Sequence, residues 1–417
     1  MPALAAALEQ RLGALSLALV LPGGRRIGRG DAAVTLRFNE LGTLTHLLTG
    51  QLGKVGRDYV EGKVDLDGGM RELMAAAAAL VHGDPTEPGT ATPPLSWLNQ
   101  LALTMRSRRR HRPEADAEQI EFHYDVSDDF YALWLDPRRI YSCAYFRDAG
   151  MSIAQAQEAK LEHICTKLML KEGERFLDIG AGWGGLLLFA AERYGVRAQG
   201  ITLSKNQHAY VNKLIAARGL AGKVRIDLLD YRNLDESAPY DKIASVGMFE
   251  HVGRAQLPEY FAKIQRLLKP GGLLLNHGIT SGGTHNHQLG SGLGDFIERY
   301  IFPGGELEHV SRVLETTGDC GLEVVDVESL RPHYAKTLWH WSDALEGQLA
   351  AARTVTTDTV LRAYRLYLAG SAMCFEQAWL SLYQMLCAKR TGDPADGPMR
   401  GAQSAFPFNR GYMYPPR

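Results

Sequence analysis

The chain has 417 residues, more than the ~250–300 at which a single hydrophobic core stops growing, so two units or one large domain with appendages are expected. Its 46 Lys and Arg residues nearly balance 47 Asp and Glu residues, which excludes a general nucleic-acid binder that depends on excess positive charge. The sequence shows no apolar run of about 18 residues, no secretory signal and no Cys-x-x-Cys spacing among its five cysteines. These features predict a soluble, cytoplasmic protein without a metal site.

Residues 1–104 are predicted to form a small α+β accessory domain with lipid or dimer contacts. Alternating apolar residues over 32–38 predict a half-buried strand, and the alanine-rich stretch 70–81 predicts a helix. No catalytic constellation of side chains is present in this unit.

The accessory domain is followed by a proline-rich loop at 83–94 and a linker at 105–120. The linker contains a basic run at 106–112. Such a run is either a solvated linker or a surface that docks onto anionic lipid headgroups, and the residues leave both alternatives open.

A catalytic domain is predicted over 121–390, followed by a tail at 391–417. Its first segment, 121–146, is dense in aromatic and acidic side chains and is expected to fold as a cap over a neighbouring site, with packing against the core as the alternative. Ser152 and Gln155 then have the spacing of a capping box, which predicts the start of a helix.

A glycine-rich turn is the strongest single motif. An apolar strand leads into Asp178 and then into Gly180, Gly182 and Gly184, and a helix is predicted at 186–194. A strand, a glycine turn and a helix N-terminus bring backbone N–H groups against a nucleotide-like ligand. The acid before the first glycine resembles the first motif of methyltransferases and favours S-adenosylmethionine over a dinucleotide. The alternative is a tight turn that needs glycine only for its backbone angles.

Strand and helix signals then alternate, which predicts a doubly wound α/β sheet. Strands are expected at 175–179, 196–202, 224–229, 243–248, 273–277 and 322–327, with helices at 186–194, 207–218 and 257–268. Ligands of such sheets bind at the carboxyl ends of the strands. Those ends carry five polar clusters, although Asp230 alone could cap a turn and His277 alone could be a satisfied core histidine.

Beyond the sheet, helices are predicted at 338–349 and 360–386. Their tryptophans, tyrosines and methionines are at helical spacing, which is typical of core residues and compatible with an acyl tunnel. The glycine-flanked apolar segment 296–302, within 281–310, is either a mobile lid or a plain insertion.

Several motifs together resemble the cyclopropane-fatty-acyl-phospholipid synthases. They are Tyr141-Ser142-Cys143-Ala144-Tyr145, the Asp178-x-Gly-x-Gly-Trp-Gly turn, Gly200-Ile201-Thr202-Leu203-Ser204 with Gln207, Asp230-Tyr231-Arg232, and Gly247-Met248-Phe249-Glu250-His251-Val252-Gly253. The resemblance covers about 121–389 and is weaker in the N-terminal unit. It implies a Rossmann-like class I methyltransferase sheet with a smaller α+β N-terminal domain.

The resemblance implies S-adenosyl-L-methionine as methyl donor. The positions that match its cofactor site are Tyr141, Ser142, Asp178, Gly180, Gly182, Gly184, Thr202, Leu203, Ser204, Gln207, Asp230, Tyr231 and Arg232. Methyltransferases usually place an acid at the end of the second strand for the ribose hydroxyls, and here Gln207 and neighbouring hydroxyls replace it.

The resemblance also implies methyl transfer to a cis double bond of an unsaturated phospholipid, with a bound bicarbonate ion as the base that closes the cyclopropane ring. The positions that match the bicarbonate site are Cys143, Glu250, His277, Ile279 and Tyr334. Relatives often have His-Thr-Ile where this chain has Gly278 between His277 and Ile279, and the change is expected to loosen a loop slightly.

The implied enzyme associates peripherally with the inner face of a membrane, and a homodimer is an open alternative. Two other functions are considered. One is an S-adenosylmethionine-dependent lipid methyltransferase that stops at methyl or methylene branches, and the other is a catalytically silent lipid-binding protein.

Overall fold

The computed structural model of the protein describes Leu12 and residues 15–48, 51–80, 127–284, 300, 306–391 and 406–414. The proline-rich loop, the basic run, residues 121–126 of the cap and most of the segment 296–302 lie outside the described residues. Among the described helices, none combines the length and the apolar character needed to cross a bilayer.

In the described residues of the N-terminal unit, a four-stranded sheet is accompanied by three α-helices. Its order along the sheet is β2-β1-β3-β4, with β1 and β3 parallel and the other pairs antiparallel. The strand predicted at 32–38 is β3, and the helix predicted at 70–81 is α3. The elements are β1 (Leu17–Val20), β2 (Arg26–Gly28), β3 (Val34–Phe38), α1 (Leu44–Leu48), α2 (Leu52–Val60), β4 (Val64–Asp67) and α3 (Met70–Leu80).

Two helices precede the large sheet, namely α4 (Asp128–Ala132) and α5 (Ile153–Lys167). The predicted capping box at the start of α5 is confirmed. The Gln155 N–H donates to Ser152 Oγ at 3.3 Å, and the Ser152 N–H donates to Gln155 Oε1 at 2.9 Å. Two orphan N–H groups of the first turn are satisfied in this way, which fixes the start of a helix that later supplies a buried lysine to the site.

The large sheet has seven strands in the order β10-β11-β9-β8-β5-β6-β7. Strands β5 to β9 run parallel, and β11 is antiparallel to both of its neighbours. The elements are β5 (Arg175–Ile179), α6 (Gly185–Tyr194), β6 (Arg197–Thr202), α7 (Lys205–Ala217), β7 (Val224–Leu228), β8 (Tyr240–Val246), α8 (Leu257–Leu267), β9 (Leu268–Ser281), α9 (Val310–Asp319), β10 (Leu322–Ser329), α10 (Arg331–Glu346), α11 (Leu349–Val355), α12 (Asp358–Glu376) and β11 (Leu380–Lys389).

The predicted doubly wound architecture is confirmed. Helices α5, α6 and α7 pack on one face of the sheet, and α8 and α9 pack on the other. From β5 the chain first moves outward through β6 and β7 and then returns to β8 on the other side of β5. This reversal opens a crevice at the carboxyl ends of β5 and β8, where ligands of such sheets bind.

The prediction of one helix over 360–386 is wrong in its second half. Helix α12 ends at Glu376, Ala378 has a left-handed φ of 61°, and Leu380 begins β11. Strand β11 lies between β9 and β10 and is buried on both faces, so its sequence lacks the alternation of a half-buried strand. A continuous apolar run that follows a helix cannot be separated from it by periodicity alone.

Two further boundaries differ from the prediction. The helix expected at 338–349 runs from Arg331 to Glu346. Pro332 lies in its first turn, where a helix tolerates proline because the N–H groups there have no partner within the helix. Strand β9 continues to Ser281, four residues past the predicted end. The longer strand carries Ile279 as well as His277 into the sheet.

The N-terminal sheet is attached to the C-terminal helices. Tyr59 and Met74 belong to the same hydrophobic cluster as the buried side chains of α10 and α12. The Arg362 guanidinium on α12 donates to Asp65 Oδ1 at 2.7 Å and to the Tyr59 carbonyl at 3.1 Å. The accessory unit therefore packs on the same helices that form the aromatic wall of the site.

Candidate active site

The turn after β5 has the left-handed backbone that its glycines predicted. Gly180, Gly182 and Gly184 have φ values of 78°, 55° and 79°. A Cβ built on Gly182 would meet nothing nearer than the Gly180 carbonyl oxygen at 4.0 Å, so this residue faces open space. A side chain at 182 would project into that space, while the strained φ already disfavours any residue with a Cβ.

Eleven of the thirteen predicted cofactor-binding residues line one cavity at the carboxyl ends of the strands. They are Tyr141, Ser142, Asp178, Gly180, Gly182, Thr202, Leu203, Gln207, Asp230, Tyr231 and Arg232. Gly184 and Ser204 lie just behind the wall as the N-cap residues of α6 and α7. The predicted set thus occupies one continuous surface and the two helix starts that support it.

The end of β6 is organised by a short hydrogen-bond chain. Thr202 Oγ1 donates to Gln207 Oε1 at 2.8 Å and accepts the Ser204 N–H at 3.1 Å. These bonds leave the Gln207 amide nitrogen as the donor end of the side chain. A buried amide donor therefore lines the cavity at the end of β6.

Asp230 caps a turn, which was one of the two roles considered for it from the sequence. Its carboxylate accepts the Arg232 N–H at 2.9 Å and pairs with the Arg232 guanidinium at 2.5 Å. The pair begins the short 3-10 helix Tyr231–Asn233 and lines the cavity. Asp230 thus holds the shape of this wall through Arg232.

Four of the five residues predicted to bind bicarbonate, Cys143, Glu250, Ile279 and Tyr334, are connected through Leu382 and Leu330. Glu250 Oε1 accepts the Ile279 N–H at 2.6 Å. Leu382 of β11 pairs with Ile279 and accepts the Leu330 N–H at 2.8 Å. The Leu330 carbonyl in turn accepts the Tyr334 N–H at 3.0 Å. It also lies 3.9 Å from the Cys143 thiol.

Two buried polar atoms in this group have no hydrogen-bond partner among the described residues, Glu250 Oε2 and His277 Nε2. Burial raises the pKa of Glu250 to about 7 and lowers the pKa of His277 well below its usual value. His277 is therefore neutral, and its Nδ1 lies 3.2 Å from Gln384 Nε2, an amide donor. The ring proton consequently resides on Nε2, so this buried atom is a hydrogen-bond donor.

Cys143 is a neutral thiol. It is fully buried, and this burial raises its pKa far above the usual range. A reactive cysteine needs an accessible thiolate, so Cys143 does not have the surroundings of a nucleophile. Its thiol instead packs beside the Leu330 carbonyl at the back of the group.

The expectation that Gly278 loosens a loop is wrong. Gly278 lies inside β9, and a Cβ on it would collide with the Phe249 ring and lie 2.9 Å from Glu250 Oε1. The missing side chain therefore allows the short helix Phe249–His251 to approach β9 closely. Glycine here tightens the contact that holds Glu250.

The described part of the cap, from Ser127 onward, lies against the glycine turn. The Tyr131 ring is 6.3 Å from that of Trp183 and 5.5 Å from that of Tyr141. The Tyr141 ring in turn lies 5.4 Å from Trp341 of α10. Aromatic side chains of the cap and of the C-terminal helices thus form one continuous wall beside the cavity.

Several cavity residues were absent from the predicted site. Lys160, Arg139, Trp183 and Met248 line the cavity with the predicted residues. Trp183 and Met248 lay inside quoted motifs without an assigned role. Lys160 had a detectable signal, because it lies on the helical stripe of buried residues in α5, where a lysine is unusual.

The described residues contain no group of three or more His, Cys, Asp or Glu side chains arranged to hold a metal ion. The charged groups that line the cavity are those of Asp178, Lys160, Arg139 and the Asp230–Arg232 pair. Burial raises the pKa of Asp178 to about 7, and the nearby Lys160 opposes this rise.

The chain matches the family model described as mycolic acid cyclopropane synthetase over residues 111–385. It is 44% identical to a probable fatty acid methyltransferase of Pseudomonas putida, with 91% of this chain and 93% of the relative covered. It is 39% identical to cyclopropane mycolic acid synthase 1 of Mycobacterium tuberculosis, with 65% of this chain and 96% of the relative covered.

Among solved structures, the chain is similar to mycolic acid cyclopropane synthase CmaA1 complexed with SAH and CTAB. The two share 38% sequence identity at a TM-score of 0.62, over 66% of this chain and 98% of the other. The sheet order, the glycine turn and the similarity to solved structures together show the Rossmann-like fold of class I S-adenosylmethionine-dependent methyltransferases.

Replacing Gly182 by valine is expected to abolish binding of S-adenosylhomocysteine, because the branched side chain would occupy the cavity. Isothermal titration calorimetry measures the loss, and circular dichroism tests that the fold survives. Gly219→Val is a matched control, since Gly219 also has a left-handed φ, 67°, faces open space and lies outside the cavity. Undiminished affinity in Gly182→Val, or an equal loss in Gly219→Val, contradicts the assignment of the cavity.

Proposed function

The chain belongs to the mycolic acid cyclopropane synthetase family, and we propose that it converts cis double bonds of phospholipid acyl chains into cyclopropane rings. S-adenosylmethionine supplies the methyl group on a sulfonium. The observation that carries the proposal is that two buried polar atoms, Glu250 Oε2 and His277 Nε2, have no hydrogen-bond partner among the described residues.

The cavity is the proposed cofactor site. An alkene is a weak nucleophile, so the methyl donor has to be held in line with it and out of water. The glycine turn provides a close backbone approach, and Tyr141 and Ser142 close the opposite side. Gln207 is proposed to take the role of the usual ribose-binding acid, since its amide donor is fixed by Thr202.

The aromatic wall is the proposed acyl site. Methyl addition to an alkene leaves positive charge on carbon, which water would quench and which aromatic faces stabilise. Tyr131, Trp134, Tyr141, Trp341 and Tyr364 are packed ring to ring, and the Tyr131 and Tyr364 hydroxyls bond each other at 2.9 Å. The Tyr131 and Tyr364 hydroxyls thus satisfy each other, so neither requires a water molecule at the wall.

Bicarbonate fits the two unsatisfied atoms because it has both a hydroxyl donor and anionic acceptors. The Glu250 carboxylate can accept the hydroxyl, and the His277 Nε2–H can donate to an oxygen. Bound there, bicarbonate supplies the base that ring closure requires. We assign the remaining predicted members, Cys143, Ile279 and Tyr334, to the frame around the ion.

A bilayer phospholipid is proposed as the substrate, in preference to a mycolic acid. The mycobacterial synthase matches only 65% of this chain, whereas the relative from Pseudomonas putida matches 91%. The family match begins at residue 111, so the N-terminal unit lies outside it. That unit and the basic run at 106–112 favour the proposal that the enzyme associates peripherally with the inner face of the membrane.

A methyltransferase that leaves a branch instead of a ring is the second candidate, favoured by the name fatty acid methyltransferase of that relative. It needs the cofactor cavity and the aromatic wall. A methylene branch requires proton loss without ring closure, so the product separates the two functions.

Expression in a host with cis-monounsaturated phospholipids is expected to convert them to species heavier by one CH₂. Mass spectrometry detects the added mass, and proton NMR should show loss of olefinic protons with the appearance of shielded ring protons. The Gly182→Val protein is the control. Exocyclic olefinic protons in the heavier lipid would identify the branching enzyme, and unchanged lipids would refute methyl transfer to these chains.

Glu250→Gln is expected to lower turnover about ten- to a hundredfold, since a charge-assisted hydrogen bond of ~1.5–3 kcal/mol is lost. The amide oxygen can still accept the Ile279 N–H, so the fold and S-adenosylhomocysteine affinity should be preserved. Removal of bicarbonate from the assay should slow the wild type similarly, and its return should rescue the wild type more than the variant. Full activity of both proteins without bicarbonate would require another base. Glu259→Gln, an exposed change on α8, is the control.

Vesicle binding is expected to depend on charge, because the basic run at 106–112 meets anionic headgroups through screened electrostatics. Sedimentation with anionic vesicles should show binding that falls as salt rises, and replacement of the five arginines in this run by glutamine should weaken it. Equal binding to neutral and anionic vesicles at all salt concentrations argues that the run is only a solvated linker.

A further inference from the structure

Helix α5 buries two lysines on the same side, Lys160 and Lys167, two turns apart. Lys167 is neutralised by two carboxylates, at 2.5 Å from Glu328 and 3.4 Å from Asp326. Lys160 is 2% exposed, and no carboxylate of the described residues forms an ion pair with it. Its ammonium donates to Ser142 Oγ at 2.9 Å.

An ammonium buried without a counter-ion is unfavourable, so such a group either loses its proton or meets an anion. Burial lowers the pKa of Lys160 to about 8, against the opposing influence of Cys143, Asp136 and Asp178. The group therefore keeps its positive charge at neutral pH, and the described side chains supply it with only one hydrogen bond.

The position of Lys160 indicates which anion it meets. It lines the same cavity as Ser142, Asp178 and the glycine turn. Glu250 and His277, to which bicarbonate was assigned, are not part of the wall of that cavity. The lysine thus faces the proposed cofactor site.

We propose that Lys160 binds the α-carboxylate at the amino-acid end of S-adenosylmethionine, an assignment that rests on the proposed cofactor cavity. Ser142 holds the ammonium in position. Asp178, on the same wall, is assigned to the α-ammonium of that amino acid, so Lys160 and Asp178 together offer a cation and an anion to the zwitterion. The pair gives the enzyme a preference for cofactors that carry an intact amino acid.

The test compares two stable ligands by calorimetry, S-adenosylhomocysteine and its decarboxylated analogue, 5′-deoxy-5′-(3-aminopropylthio)adenosine. The wild type is expected to prefer the first by about ten- to a hundredfold, the range of one charge-assisted hydrogen bond. Lys160→Met, similar in length but uncharged, should bind both within about threefold of each other. Lys160→Arg, which keeps the charge, should retain part of the preference.

Lys242→Met is the matched control, because Lys242 is also buried but lies near the start of β8, away from the cavity. Its preference should equal that of the wild type. Lys160→Gln, which keeps a donor for Ser142, is measured in parallel in case the methionine variant does not fold. A preference retained in the uncharged variants overturns the proposal, as does equal binding of both ligands to the wild type. Failure of the wild type to bind S-adenosylhomocysteine at all would instead refute the cofactor cavity.

Discussion

The hydrogen bond from the Ile279 N–H to the Glu250 carboxylate is the constraint on which the site depends. Strand β8 pairs with β9 only as far as His277, and beyond that point the edge of β9 has lost its partner. Glu250, in the short helix Phe249–His251, accepts the next backbone N–H of β9, that of Ile279. One carboxylate oxygen thereby takes the place of a strand partner, and the other has no hydrogen-bond partner among the described residues.

The second constraint on the site is the pairing of its buried charges. A doubly wound sheet is apolar on both faces, so each buried charge in it requires a specific partner. Lys167 and the Asp230–Arg232 pair find theirs within the protein. Asp178, Glu250 and Lys160 form no ion pair with a described residue, and burial raises the pKa of both carboxyl groups and lowers that of the lysine, which favours the neutral form of each. The site is a region where the internal compensation of charge is incomplete.

Much of the catalytic sheet was predictable because parallel strands, glycine turns and helix caps have strong local signals. Thr202 and Asp230 were assigned to one site from their positions at strand ends, and both line the cavity, whereas Glu250 and His277 at other strand ends do not. The failures have a common physical cause. Strand β11 is buried on both faces, and Gly278 owes its identity to Phe249, a residue 29 positions earlier in the chain. Neither fact is written in a local pattern, whereas Lys160 had a local signal in its place on the buried stripe of α5.

The placement of β11 has a consequence for how the protein is made. Strands β9 and β10 are neighbours in sequence, yet the sheet joins them only through β11, a strand from the far end of the catalytic domain. Gln384, which orients His277, and Leu382, which anchors Leu330, both come from it. During synthesis from the N-terminus, β5 to β8 can pair early, but the contacts that Gln384 and Leu382 make with His277 and Leu330 cannot form until β11 has left the ribosome. The nascent enzyme thus holds a formed cofactor crevice before it holds a working catalytic centre.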